Sequence, residues 1–111
     1  MEKINPMVLN VGDETYTLEF SRDSVRFAEQ RGFKISELTD FPLINIPAFF
    51  FYAFRMHHPS VSRAQTDKIL FEEMGGLGPD ELSRLAELYA VPQKTLLRQD
   101  ERKNAKVSIQ M

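Results

Sequence analysis

Ile46-Pro47-Ala48-Phe49-Phe50-Phe51-Tyr52-Ala53-Phe54-Arg55-Met56-His57-His58-Pro59 is the stretch on which the fold turns. Pro47 suits the first position of a helix, where its missing N–H would lack a partner anyway, and His58-Pro59 stops that helix at about His57. On such a helix residues 46, 49, 50, 53, 54 and 57 fall on one arc. Ile46, Phe49, Phe50, Ala53, Phe54 and His57 therefore form a core-facing stripe, while Phe51, Tyr52, Arg55 and His58 point elsewhere. Two readings follow. A helix apolar nearly all round is a central one, wrapped by the other elements. Alternatively, Phe51, Tyr52 and Arg55 form a partner-binding patch, because aromatic residues and Arg dominate interface energies.

The elements that would wrap this helix can be read upstream. Met7-Val8-Leu9-Asn10-Val11 and Thr15-Tyr16-Thr17-Leu18-Glu19-Phe20 are β-prone runs separated by Gly12-Asp13-Glu14, a turn of hairpin length. Tyr16, Leu18 and Phe20 share one face of the second strand, and that apolar face needs a helix to cover it. Ser21 or Asp23 can cap a following helix over Ser24 to Arg31, with Val25 and Ala28 inward and Gly32 ending it in the left-handed conformation. Phe33 to Ile46 reads as an irregular connector, with a single turn at Ser36 to Thr39 and an extended Phe41-Pro42.

Downstream, Ser62 and Gln65 have the spacing of a capping box, which opens a helix ending at Gly75-Gly76. Another begins around Gly78-Pro79-Asp80-Glu81 and runs to about Ala90, with Leu82, Leu85, Ala86 and Tyr89 as its buried stripe. Pro92 permits a short helix carrying Leu96 and Leu97. From Gln99 the chain turns charged, and Val107-Ser108-Ile109-Gln110 alternates like a strand that could join a sheet edge. The expected fold class is therefore α+β: an N-terminal β-hairpin packed on a mainly helical body of about four helices. Residues 1–98 form one domain in this reading, and residues 99–111 a charged, mobile tail.

Composition narrows the function. A chain of 111 residues, 42% hydrophobic and rich in Phe, has room for one core, and burying roughly 60–70% of its unfolded surface suffices to hold it. Fourteen basic against sixteen acidic residues give a net charge of −2, so no global field draws the chain to nucleic acid or to an anionic membrane. The absence of cysteine excludes disulfides and thiolate metal sites. The N-terminus lacks the apolar run of a signal peptide, and Phe41 to Phe54 is too short and too broken by Pro42 and Pro47 to span a bilayer. The chain is accordingly expected to be a complete natural product that stays in the cytoplasm where it is made.

No constellation suggests catalysis. His57 and His58 project about 100° apart on a helix and do not converge on one metal, so their expected place is near the carbonyl dipoles of a helix end. Ser60, Ser62, His58 and Asp67 lie close in sequence without a strained turn or an oxyanion hole, and Ser62 is better used as a cap. Gly75-Gly76-Leu77-Gly78-Pro79 lacks the Lys-Ser or Lys-Thr of a phosphate loop and follows no strand. Neither enzymatic activity nor a metal or other cofactor is expected. The segment from Thr66 to Tyr89 has a helix-turn-helix outline, which leaves a small prophage DNA-binding regulator as the alternative function. Asp80, Glu81 and Glu87 would repel phosphates there.

The segments Tyr16-Thr17-Leu18-Glu19-Phe20, Val25-Arg26-Phe27-Ala28-Glu29 with Arg31-Gly32-Phe33, Phe51 to His58, Ser62 to Leu70, Gly75-Gly76-Leu77 and Leu88-Tyr89 together cover nearly the whole chain. In them the sequence resembles a family of small phage and prophage proteins of unassigned domain type, similar to tail assembly chaperones of long, flexible-tailed phages. That resemblance implies a non-enzymatic protein-binding factor. Its partner would be the tape-measure protein, kept soluble during tail assembly, with tail-tube subunits as further partners and self-association open. No membrane or nucleic-acid partner is implied.

Overall fold

Alternation of polar and apolar residues sets the start of the chain. In the computed structural model, which describes residues 4–96 and Gln110, β1 (Met7–Val11) pairs antiparallel with β2 (Glu14–Leu18), Met7 opposite Leu18 and Val11 opposite Glu14. Gly12 and Asp13 form a two-residue loop. The φ of +60° at Gly12, the first of them, is the arrangement of a type II′ turn, whose twist suits a hairpin. Leu18 and Phe20 are buried and Tyr16 is half-buried, so the predicted face does turn inward.

Helix α1 (Arg22–Gln30) is capped by Ser21, whose Oγ accepts the Ser24 N–H while Ser24 Oγ accepts the Ser21 N–H. It ends in a Schellman motif: Gly32, at φ +85°, donates to the Glu29 carbonyl, and Phe33 donates to that of Ala28. Val25 and Ala28 are buried as expected. A short 3₁₀ turn (Ile35–Glu37) follows and brings Leu38 into the core.

The central helix begins earlier than its proline pattern suggests. Helix α2 spans Pro42–Phe54, so Pro42 rather than Pro47 takes the first helical position and Pro47 lies inside the helix. Both prolines meet the requirement for a first residue. The start is decided by Phe41, which at φ −130° and ψ 67° is not helical, and by Asn45, whose backbone N–H reaches the Phe41 carbonyl and whose Nδ2 reaches that of Glu37. The irregular connector therefore ends at Phe41 and not at Ile46. At the other end Arg55 donates to the Tyr52 carbonyl in a tightened last turn, so the helix stops at Phe54, short of His57.

Helix α3 (Arg63–Lys68) carries the expected capping box: Ser62 Oγ accepts the Gln65 N–H, and Gln65 Oε1 accepts the Ser62 N–H. It widens into a π turn (Ile69–Glu73) before Gly75 and Gly76, both at positive φ, reverse the chain. Helix α4 (Pro79–Ala90) starts where Glu81 accepts the Gly78 N–H. Its buried residues are Leu85, Leu88 and Tyr89; Leu82 and Ala86 are only half-buried, and Leu88 joins the expected stripe. The helix expected after Pro92 is a 3₁₀ turn (Val91–Gln93), and Leu96 is exposed. Leu97, the tail from Gln99 and all of Val107 to Gln110 but its last residue lie outside the described residues.

An antiparallel hairpin followed by four helices is thus the observed α+β fold. The core gathers on α2, which contacts β2, α1 and α3. Phe20 and Phe33 lie nearly parallel to Phe49 at 5.5 and 5.4 Å, and Tyr89 meets all three edge-on. The hairpin is fastened to the end of α2 through its outer edge: Glu19 N–H donates to the Ala53 carbonyl and Thr17 N–H to His58 Nε2. Among the described residues no helix is long and apolar enough to cross a membrane.

Candidate protein-binding groove

Because α2 starts at Pro42, five residues that would have been loop become helix, and they precede the part of α2 that the core covers. Phe41, Leu43 and Ile44 are 57%, 81% and 71% exposed. Such side chains lose apolar contact area to water for no gain in the isolated chain, and a contiguous group of them marks a contact surface.

A groove of about 350 Å³ opens beside them. Pro42, Leu43, Ile46 and Pro47 of α2 form one wall, Leu70 and Phe71 of the π turn another, and Leu77 and Leu82 close the end toward α4. The π turn shapes this wall. Ile69 and Leu70 are buried, while the wider turn leaves Phe71 leaning out, 54% exposed. Met74 and Gly76 donate to the carbonyls of Ile69 and Leu70, both at 2.8 Å, which fastens the Gly-Gly reversal against the turn. At φ +102°, Gly76 occupies backbone space that other residues rarely enter, so the reversal holds its shape only with glycine there. The groove offers apolar side chains and no catalytic constellation. Its size and lining suit the apolar face of an inserted helix.

The three partner-binding candidates from the sequence do not form a free patch. Tyr52 is buried, its ring meeting Phe27 and Phe33 edge-on. Of the two readings, Tyr52 takes the core one: Phe27 of α1 and Phe33 cover it on the flank of the stripe. Phe51 is half-buried against the core. Arg55 is exposed, but its guanidinium lies 3.7 Å from the centre of the Phe27 ring, and that of Arg31 lies 3.5 Å from it. One face of a ring has no room for both, so Phe27 is held between two cations and Arg55 is engaged within the fold.

The histidines are also structural. His57 Nε2 lies 2.8 Å from Glu19 Oε1, and His58 Nε2 accepts the Thr17 N–H at 2.9 Å while its ring meets Tyr16 edge-on. Both side chains serve the hairpin instead of the helix-end carbonyls. Among the described residues no three His, Asp or Glu side chains gather as a metal-binding set. Asp67 pairs with Arg63 at 3.0 Å. The displaced titration among the described residues belongs to the core: burial, with the Glu29 carboxylate and Tyr52 adding to it, pushes the Tyr89 phenol up to about 12.

Phe41, Leu43, Ile44 and Phe71 are the residues that the sequence reading passed over. Their signal was an apolar run directly after Phe41-Pro42, with Pro42 as a second eligible helix start. Residues 1–111 match the family described as Domain of unknown function (DUF5055), and the chain belongs to that family. No curated protein and no solved structure matches it.

Proposed function

We propose that this DUF5055 chain is a non-enzymatic protein-binding factor that takes an apolar helix of its partner into the groove between α2, the π turn and α4. The observation that carries this reading is the exposure of Leu43 and Phe71, which line one apolar groove, with Ile44 exposed next to Leu43 in the sequence. Full burial of such a side chain stabilises a complex by roughly 1.5–3 kcal/mol, so a few of them suffice for a modest affinity. The resemblance to tail assembly chaperones supplies the partner: a tape-measure protein, long and largely helical, whose apolar stripes need cover in the host cytoplasm until tube subunits replace the chaperone. Copies bound side by side along it would each need only weak binding. Duplex DNA is the less favoured partner, because the first turn of α4 exposes Asp80 and Glu81 where a recognition helix would meet phosphates.

Co-expression with the tape-measure protein of the same genome tests the reading. The expected result is a complex that co-purifies and a tape measure retained in the soluble fraction, with both effects lost in Leu43→Asp. No complex and no gain in solubility would overturn it.

A further inference from the structure

We infer that the helix accepted by this groove is basic, carrying Lys or Arg on both flanks of its apolar stripe; the inference rests on the reading of the groove as a protein-binding site. Helix α2 contributes no charge of its own to the wall. Five acidic residues stand within two positions of a lining residue. Asp40 stands two residues before Pro42, Glu72 and Glu73 follow Phe71 in the π turn, and Asp80 and Glu81 lead to Leu82 in α4. All five are exposed, and among the described residues none is in an ion pair. Glu81 accepts the Gly78 N–H with one carboxylate oxygen, at 2.8 Å. Two cations stand equally near, Lys68 at the end of α3 and Arg84 of α4, the latter 3.8 Å from Glu87, so the acidic residues remain in excess.

Two further basic residues lie away from this rim. Arg31 and Arg55 hold Phe27 between them, at the far end of α2 from Leu43. Thirteen helical residues span about 20 Å, and the Debye length is about 8 Å at physiological ionic strength. The rim is therefore screened from those cations and presents its own sign to a partner. An apolar groove with acidic flanks selects an amphipathic helix with the reverse pattern, apolar residues at i, i+3, i+4 and i+7 between rows of Lys or Arg, and rejects one flanked by Glu.

Two synthetic helix-forming peptides with the same apolar stripe, one flanked by Lys and the other by Glu, test this by fluorescence anisotropy against the full chain. The Lys-flanked peptide is expected to bind about tenfold tighter at low salt, with the gap closing toward 1 M salt, where the Debye length falls to about 3 Å. Glu72→Lys combined with Glu73→Lys should shrink or invert the preference. Equal binding of both peptides at low salt would overturn the inference and leave the groove standing. Binding of neither peptide, or binding that survives Leu43→Asp in a chain with unchanged circular dichroism, would overturn the groove and the inference together. A dimer seen by light scattering and dissolved by Leu43→Asp would assign the groove to a second copy of this chain, and overturn the inference as well.

Discussion

Phe49 and Leu43 sit six residues apart on one helix and mark the two kinds of apolar residue in this protein. Phe49 is fully buried among Phe20, Phe33 and Tyr89, so Phe49→Ala should lower stability by about 3–5 kcal/mol through lost contacts and a residual cavity. Leu43 is 81% exposed, and Leu43→Ala should stay within about 0.5 kcal/mol of the parent in the same denaturant titration. Tyr52 shows why residue roles were hard to read from spacing alone. The stripe of 46, 49, 50, 53 and 54 is correct for its buried members, but a helical wheel does not say which neighbour covers the remaining arc, and here Phe27 and Phe33 do. Tyr89 carries a pH signature. Its phenol ionises near 10 in the unfolded chain and near 12 in the fold, so its contribution is intact below pH 10 and is lost as the pH rises toward 12. The loss is on the order of 2–3 kcal/mol. Urea midpoints on either side of that window should fall further for the parent than for Tyr89→Phe.

Among the elements, those with explicit end signals were legible. Ser21, Ser62 and Gly78-Pro79 each begin a helix, Gly32 ends one, and Gly12 turns the hairpin, because each position satisfies orphan N–H or C=O groups or tolerates a positive φ. Ser62→Ala removes the acceptor for the Gln65 N–H and should cost about 1 kcal/mol, read as a lower thermal midpoint. The start of α2 was not legible in the same way. Pro42 and Pro47 send identical local signals, and the choice between them is made by Asn45 reaching back to Glu37 and Phe41, a contact with no pattern in sequence. The π turn was hidden too, since an extra residue in a turn leaves composition unchanged. Both features line the groove proposed as the binding site, at the N-terminal end of α2.

For the whole molecule, the α+β class followed from a period-two run next to helical periods, and the hairpin followed by four helices agrees with it. The way these parts close on one another was beyond local reading: the Phe20, Phe33, Phe49 and Tyr89 rings come from a strand end, a loop and two helices. That closure has a consequence in time. The hairpin leaves a ribosome before the elements that cover it, for its outer edge is tied to Ala53 and His58, and the rings against Phe20 are those of Phe49 and Tyr89. A two-stranded hairpin alone is marginal in water. At about 5–20 residues per second, synthesis leaves the apolar side of β1 and β2 uncovered for several seconds before its last partner arrives. Slow translation between the codons for residues 58 and 89 lengthens that interval, so the pace of elongation over that stretch governs how long the hairpin stays exposed to aggregation.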